Sequence, residues 1–363
     1  MNIGIPKERR SFEYRVGLSP AGVQMLSNQG HICYVEHDAG LGAGFSDQEY
    51  EQAGARIVYS SHEVFGRSDL LVKVSRPLLD EIEWLRPGSA VAGLLHLPSA
   101  RQDKIEGLLA NDITAIAYEQ IQLNDGILPV LRPLSQIGGR LAAQIGARLL
   151  QNNSGGKGIL LGGVPGVAPA EVVIIGAGVV GTCAAQAFTG MGAHVTVLDT
   201  DIEALQRIFE RECGVVTMMS NPVNIARACA YADVVVGAIL VPGERPPIVI
   251  TREMVRGMKL RSVIMDISID EGGCVETSRP TTHEHSYYIE EGVIHYCVPN
   301  IPSVVARTST YAFLNAAFPY IMELANKGID RAIAENSALE RAVNTHRGEL
   351  WHLSRLSSAL PTE

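Results

Sequence analysis

Residues 172–181 read Val172-Val-Ile-Ile-Gly-Ala-Gly-Val-Val-Gly181. Four apolar, mostly β-branched residues predict a buried strand, and Gly176, Gly178 and Gly181 follow it with G-x-G-x-x-G spacing. Residues 179–191 then read as a helix, and His194-Val-Thr-Val-Leu198 as a second buried strand that ends at Asp199. Each piece has a job in holding a dinucleotide. Gly176 permits the tight turn, Gly178 lets the backbone approach a pyrophosphate, and Gly181 lets the helix pack closely on the strand. Val179 and Val180 open the helix, whose unpaired N–H groups and partial positive charge suit phosphates. Asp199 lies 18 residues beyond Gly181, about where a carboxylate meets the adenosine ribose hydroxyls. A carboxylate there repels a 2′-phosphate, and Thr200-Asp-Ile-Glu-Ala204 supplies no cation. NAD is therefore favoured over NADP.

A chain of 363 residues is long enough for two domains. With 46% hydrophobic and 19% charged residues it falls in the globular class, not the disordered one. A net charge of −9 argues against nucleic acid or an anionic membrane surface as the main partner. Cys33, Cys183, Cys213, Cys229, Cys274 and Cys297 form no C-x-x-C pair and sit mostly among apolar neighbours, as expected of reduced thiols. The start, Met1-Asn-Ile-Gly-Ile-Pro6, lacks a basic leader and cleavage site, and no stretch approaches the ~20 apolar residues of a membrane span. A soluble, cytoplasmic protein is expected, and no residue is read as a metal ligand.

The first 120 residues alternate short apolar runs with helical patterns, the signal of a parallel sheet with crossover helices. Strands are expected at residues 2–5, 31–37, 69–74, 90–95 and 114–117. Ser19-Pro20 and Ser46-Asp-Gln-Glu49 read as helix starts, the second as a capping box. Residues 100–111 read as a helix. Ligands of open α/β sheets gather at the carboxyl ends of strands, and Lys73, His96 and Tyr118-Glu119 all fall there. These groups are expected on one rim.

Arg132-Pro-Leu-Ser-Gln136 begins a long apolar helix, residues 137–151, read as the bridge between domains. Beyond the glycine motif, residues 202–213 read as a helix and 233–240 as a strand, followed by a Pro/Gly loop at 241–247. Thr251 caps another helix, and residues 262–266 make a further strand with Ile269-Asp270 past its end. From Thr308 on, only helices are expected. The fold class is α/β: two Rossmann-like, doubly wound parallel-sheet domains with an interdomain cleft. Residues 1–130 plus 306–363 form the expected substrate domain and residues 131–305 the NAD-binding domain.

The chain resembles the alanine dehydrogenase family, whose fold is shared with the NAD-binding subunit of proton-translocating transhydrogenase. The resemblance runs nearly end to end. It is carried by Gly4-Ile-Pro-Lys-Glu8, Glu13-Tyr-Arg-Val16, Leu95-His-Leu97, Ile116-Ala-Tyr-Glu119, Gly139-Arg-Leu-Ala142 and Gly162-Gly-Val-Pro-Gly166. Gly237-Ala-Ile-Leu-Val-Pro-Gly243, Asp266-Ile-Ser-Ile-Asp270-Glu-Gly-Gly-Cys274, Ser278-Arg-Pro-Thr-Thr282 and Thr308-Ser-Thr-Tyr311 extend it. The resemblance implies NAD-dependent oxidative deamination of an L-amino acid to a 2-oxo acid and ammonium, and the reverse, by a homo-hexamer. It makes Arg15 the carboxylate-binding arginine, His96 the acid/base and Asp270 the catalytic aspartate near the nicotinamide. Ser135, Asp199, Ser220, Ile239, Leu240, Ile267, Arg279 and Asn300 then line the NAD site with Gly176 to Gly181. The chemistry suits these side chains. An imidazole near its unperturbed pKa of ~6.5 exchanges protons at neutral pH, and a carboxylate stabilises an iminium cation.

Departures from the family cluster at the substrate. Where it commonly carries Lys-Val-Lys-Glu-Pro, this chain has Lys73-Val-Ser-Arg-Pro77, so Ser75 replaces a lysine that helps hold the substrate carboxylate. If nothing compensates, a charge-assisted hydrogen bond of about 1.5–3 kcal/mol is lost. Lys73 and Arg76 are the nearby cations, and strand alternation turns Arg76 to the face opposite Ser75. Leu94 replaces a pocket aromatic, Arg132 a small residue and Gln136 a glutamate. These changes suggest a substrate range shifted from alanine toward a larger or differently charged amino acid or imine, with Arg132 reading a second acidic group, while L-alanine stays the expected named substrate. Two other readings stand beside this one: an NADH-dependent reductase of preformed imines, and a non-catalytic NAD-binding, transhydrogenase-like subunit.

Overall fold

In the computed structural model, residues 1–241 and 245–353 are described. Pro242 and Gly243 of the expected Pro/Gly loop, and residues 354–363 of the expected helical tail, lie outside them. The chain divides into two compact units, Met1–Leu134 with Ser303–Glu363, and Ser135–Pro302. Among the described residues the first unit holds strands β1 (Asn2–Ile5), β2 (Ile32–Glu36), β3 (Arg56–Val58), β4 (Leu70–Ser75), β5 (Ala90–Leu94) and β6 (Thr114–Ala117). The second holds β7 (Glu171–Ile175), β8 (His194–Asp199), β9 (Val215–Met219), β10 (Val234–Gly237), β11 (Val263–Asp266), β12 (Tyr287–Glu290) and β13 (Val293–Tyr296). The chain returns to the first unit with β14 (Val343–His346) and β15 (Glu349–Leu350).

Both units repeat one plan. In the first, parallel strands lie in the order β6-β5-β4-β1-β2-β3, and in the second in the order β13-β11-β10-β7-β8-β9. Each order reverses once, between β1 and β4 and between β7 and β10, as in doubly wound dinucleotide-binding sheets. The central strands are covered on both faces, so they read as unbroken apolar runs. Leu71, Val91 and Ala115 pack with Phe65, Ile105 and Leu108 in the first unit. Val173, Val235 and Ile264 pack with Ile225 and Ala228 in the second. Five of the six cysteines are buried and Cys213 is exposed. Among the described residues, no helix is long and apolar enough to cross a membrane.

The helix starts follow their sequence signals. Ser19 accepts from Gly22 N with Pro20 in the first turn, and Ser46 and Glu49 close a capping box. Thr251 accepts from Met254 N. Other expectations are corrected. The strand expected at 233–240 stops at Gly237, and the bridging helix begins earlier, spanning Leu131–Leu149. Strands β3, β9, β12 and β13 were not anticipated; β3 is three residues long and β12 is an antiparallel edge.

The largest correction concerns the C-terminal segment. It is not purely helical: after helices Ala306–Lys327, Ile329–Glu335 and Ser337–Arg341, β14 pairs antiparallel with β6. An uncovered β6 would present a row of unpaired backbone groups beside the core. Strand β14 covers that edge, and Thr345 Oγ1 adds a 2.7 Å hydrogen bond to Ile113 O. A chain ending at Ala342 is therefore expected to unfold at a lower temperature and to aggregate. Thermal unfolding and light scattering read this directly, and an unchanged Tm would contradict it.

Candidate active site

In the second unit the expected cofactor residues stand on the carboxyl edge of one parallel sheet. Gly176 follows β7, Asp199 ends β8, Ser220 follows β9, Ile239 and Leu240 follow β10, and Ile267 with Asp270 follows β11. Asn300 lies past the end of β13. The glycine turn is fixed by close approach. Gly176 has φ 110° and a Cβ there would lie 2.3 Å from Ala238 O, while a Cβ on Gly181 would lie 1.8 Å from Gly176 O. At Gly178 a Cβ would meet no protein atom within 4 Å, so its bare backbone faces open space. Gly178 caps helix Val179–Gly190 without a side-chain hydrogen bond. Asp199 accepts from Ala177 N at 2.5 Å and Asp201 N at 2.8 Å, which holds its carboxylate beside the glycine turn. Ser220 N donates to Asp199 O at 2.8 Å, tying the next strand end to the same spot. An open backbone cradle beside a fixed carboxylate fits a dinucleotide.

The loop that carries Asp270 is ordered by two residues that sequence reasoning left out of the site. Asp266, fully buried, accepts from Cys274 N at 3.0 Å, Val275 N at 3.2 Å and Ser268 N at 3.2 Å. Burial pushes its carboxyl above the ordinary value, although these donors oppose the shift. Ser268 Oγ accepts from Ile239 N at 2.9 Å and donates to Ile239 O at 2.8 Å, joining the loops after β10 and β11. The available signal was an aspartate closing the apolar run Ser262-Val-Ile-Met265. Asp270 itself is exposed in the 3₁₀ turn Ile267–Glu271, and both its oxygens accept from Asn300 N at 3.1 Å. Arg279 is exposed, with its guanidinium 4.0 Å over the Tyr288 ring. Ser135 and Gln136 are half-buried in helix Leu131–Leu149, not on the strand edge.

The first unit builds its rim from buried carboxylates. Glu13 takes Arg15 Nε at 2.7 Å and Nη2 at 2.6 Å in a fork-to-fork pair, and Ser75 Oγ donates to Glu13 at 2.9 Å. Burial raises the Glu13 pKa, but Arg15 outweighs it and holds the carboxyl below its ordinary value. Leu94 is the register partner of Ser75 across β4 and β5, so two of the departures are neighbours. His96 follows β5 in the left-handed region, at φ 43° and ψ 45°. Glu119 holds this turn by accepting from Leu95 N at 3.0 Å and His96 N at 2.6 Å. Arg76 Nη1 donates to His96 O at 3.0 Å.

Not every expected rim group reaches the rim. Lys73 is fully buried, with Glu8 at 3.2 Å and Glu81 at 3.4 Å. Burial disfavours its charge, but the two carboxylates hold the ammonium above its ordinary value. Tyr118 is also fully buried, against Phe313. Strand alternation places Lys73 and Ser75 on one face, and both are buried; what separates them is their partners, Glu8 and Glu81 for Lys73 and Glu13 for Ser75, which spacing does not reveal. Arg132 is exposed at the start of helix Leu131–Leu149.

Two family models cover nearly all of the chain: the alanine dehydrogenase/PNT N-terminal domain over residues 4–138 and the C-terminal domain over residues 142–353. The chain belongs to the alanine dehydrogenase/PNT family. It is 48% identical over 356 residues to an alanine dehydrogenase of Methanococcus maripaludis, covering 97% of this chain and 95% of that one. A solved L-alanine dehydrogenase structure superimposes with a TM-score of 0.91 at 44% identity, covering 97% of each chain. A transhydrogenase from Sinorhizobium meliloti shares the fold, with a TM-score of 0.80 at 24% identity and 97% and 99% of the chains covered.

Two measurements test how the family's fold is used here. Gly178→Ala is expected to unfold at the wild-type temperature yet bind NADH at least tenfold more weakly, because the added methyl meets only what occupies the cradle. Gly181→Ala is expected to lose both, since its methyl strikes Gly176 O, with overpacking costing about 1–3 kcal/mol or more. Equal NADH titrations for wild type and Gly178→Ala would contradict the cradle. The second concerns Glu13. Its lowered pKa makes its stabilising contribution present above pH 4.5 and lost as pH falls through the lower native value. Glu13→Gln should cost about 3–5 kcal/mol at neutral pH by breaking the buried ion pair with Arg15. Its Tm should also fall less steeply below pH 4.5 than that of the wild type.

Proposed function

We propose that the chain catalyses reversible, NAD-dependent oxidative deamination of an L-amino acid, with L-alanine as substrate: L-alanine, NAD and water give pyruvate, ammonium, NADH and a proton. The observation that carries this reading is the gathering of Gly176, Asp199, Ser220, Ile239, Ile267 and Asp270 on one strand edge. Family membership supports the amino-acid chemistry. When bound, NAD supplies the two-electron acceptor for the hydrogen on the substrate's α-carbon. Gly176 to Gly181 would hold its pyrophosphate, and Asp199 its adenosine ribose.

The protein's own groups do the rest. Arg15, its guanidinium plane fixed by Glu13, binds the substrate carboxylate through charge-assisted hydrogen bonds. His96 takes and returns the protons of amine and carbinol, as an imidazole does near neutrality. Asp270, a carboxylate at an exposed turn, stabilises the cationic imine and orients ammonia. A cytoplasmic homo-hexamer belongs to the same reading, supported by the family resemblance.

One contact favours a second substrate reading. Ser75 donates to Glu13 beside Arg15, so this cluster carries a hydroxyl where the family commonly has a second ammonium. A substrate carboxylate entering there meets one cation fewer than that lysine would supply, so a substrate whose other groups bring added contacts gains relative to alanine. Steady-state rates with L-alanine, larger and acidic L-amino acids, and cyclic imines with and without ammonium separate the possibilities. L-Alanine is expected to support NADH formation, and His96→Asn to lower kcat at least 100-fold. Imine reduction without ammonium at the highest kcat/KM would overturn the dehydrogenase reading, and full turnover by His96→Asn would overturn the role of His96.

A further inference from the structure

We propose that Arg76 is a positioning residue that fixes the left-handed backbone of His96, and not a substrate ligand. The inference rests on the reading of His96 as the acid/base. A histidine at φ 43° and ψ 45° is in a conformation that L side chains rarely adopt and that persists only where surroundings hold it. Here both peptide groups of the residue are held, by charges of opposite sign. On the amide side, the Glu119 carboxylate takes His96 N at 2.6 Å and Leu95 N at 3.0 Å. On the carbonyl side, Arg76 Nη1 reaches His96 O at 3.0 Å and Ser99 Oγ at 3.4 Å. Ser99 Oγ and Ser99 N also donate to that oxygen, at 3.0 and 3.1 Å.

The signs match the groups they meet: a carboxylate faces N–H donors and a guanidinium faces a carbonyl. The Arg76 segment is itself anchored, because Lys104 Nζ donates to Pro77 O at 2.9 Å from helix Gln102–Ala110. Without Arg76 the carbonyl keeps its two neutral donors from Ser99, so the turn survives but is less sharply held. A group displaced by about 1 Å from productive geometry can lose about 100-fold in rate without loss of binding.

Steady-state kinetics of Arg76→Met, Arg76→Gln and His96→Asn, with L-alanine and NAD, test the assignment beside thermal unfolding. Arg76→Met is expected to lower kcat 10- to 100-fold, with KM for L-alanine within twofold of wild type and Tm nearly unchanged. Arg76→Gln, whose amide N–H can reach the same carbonyl, is expected to recover part of kcat. Should the methionine variant fail to fold, the glutamine variant reports the same split between kcat and KM. A raised KM at unchanged kcat would overturn the proposal by making Arg76 a substrate ligand, and wild-type constants would overturn it outright. An active His96→Asn would remove the underlying reading, and the proposal with it.

Discussion

Each sheet reverses its strand order once, and at that reversal two adjacent strands send their chains to opposite faces. No connection crosses the gap between them, so their carboxyl ends stay open where a ligand can approach. In the first unit the gap lies between β1 and β4, and in the second between β7 and β10. What fills each gap differs. In the second unit backbone closes on backbone: Gly176 after β7 sits against Ala238 after β10, too near for any side chain. In the first unit side chains close it: Glu8 after β1 accepts from Val74 N at 2.6 Å and pairs with Lys73 of β4.

That difference sets the character of the two surfaces. Closure by bare backbone leaves N–H groups and a carboxylate edge that suit phosphates and ribose. Closure by buried ion pairs creates a fixed electrostatic platform, in which Glu8, Glu13, Glu81 and Glu119 each hold a cation or a backbone amide. Burying charges is costly unless they are paired and hydrogen-bonded. Burial pushes the Glu8 carboxyl up while Arg15 pulls that of Glu13 down, so one rim contains carboxyls shifted in opposite directions. Orientation follows from this platform. Arg15 and His96 are held by side chains that never need to touch a substrate.

The second unit was the more legible because its decisive features are local. Strand, glycine turn, helix, strand and Asp199 fall within 28 consecutive residues, 172–199, and each spacing has one geometric reading. Rim residues of the first unit were legible as positions after strands but not as partnerships. Nothing in the spacing of Glu13 says that it binds Arg15 while accepting from Ser75, 62 residues on. Lys73 has the sequence of a rim cation and the depth of a core residue, because Glu8 and Glu81 draw it inward. Strand β14, Val-Asn-Thr-His, was hidden for another reason. Its polar side chains find partners only in the folded sheet, as Thr345 does with Ile113 and His346 with Thr114, both 232 residues away.

The proposed function requires that the α-hydrogen of an L-amino acid pass to a nicotinamide bound at the second unit's strand edge. Turnover of L-alanine deuterated at C2, followed by mass analysis of the reduced cofactor, measures that transfer directly. The account predicts one deuterium on the nicotinamide ring of each NADH formed. Deuterium released to solvent, or no NADH formed at any amino-acid concentration, would contradict it.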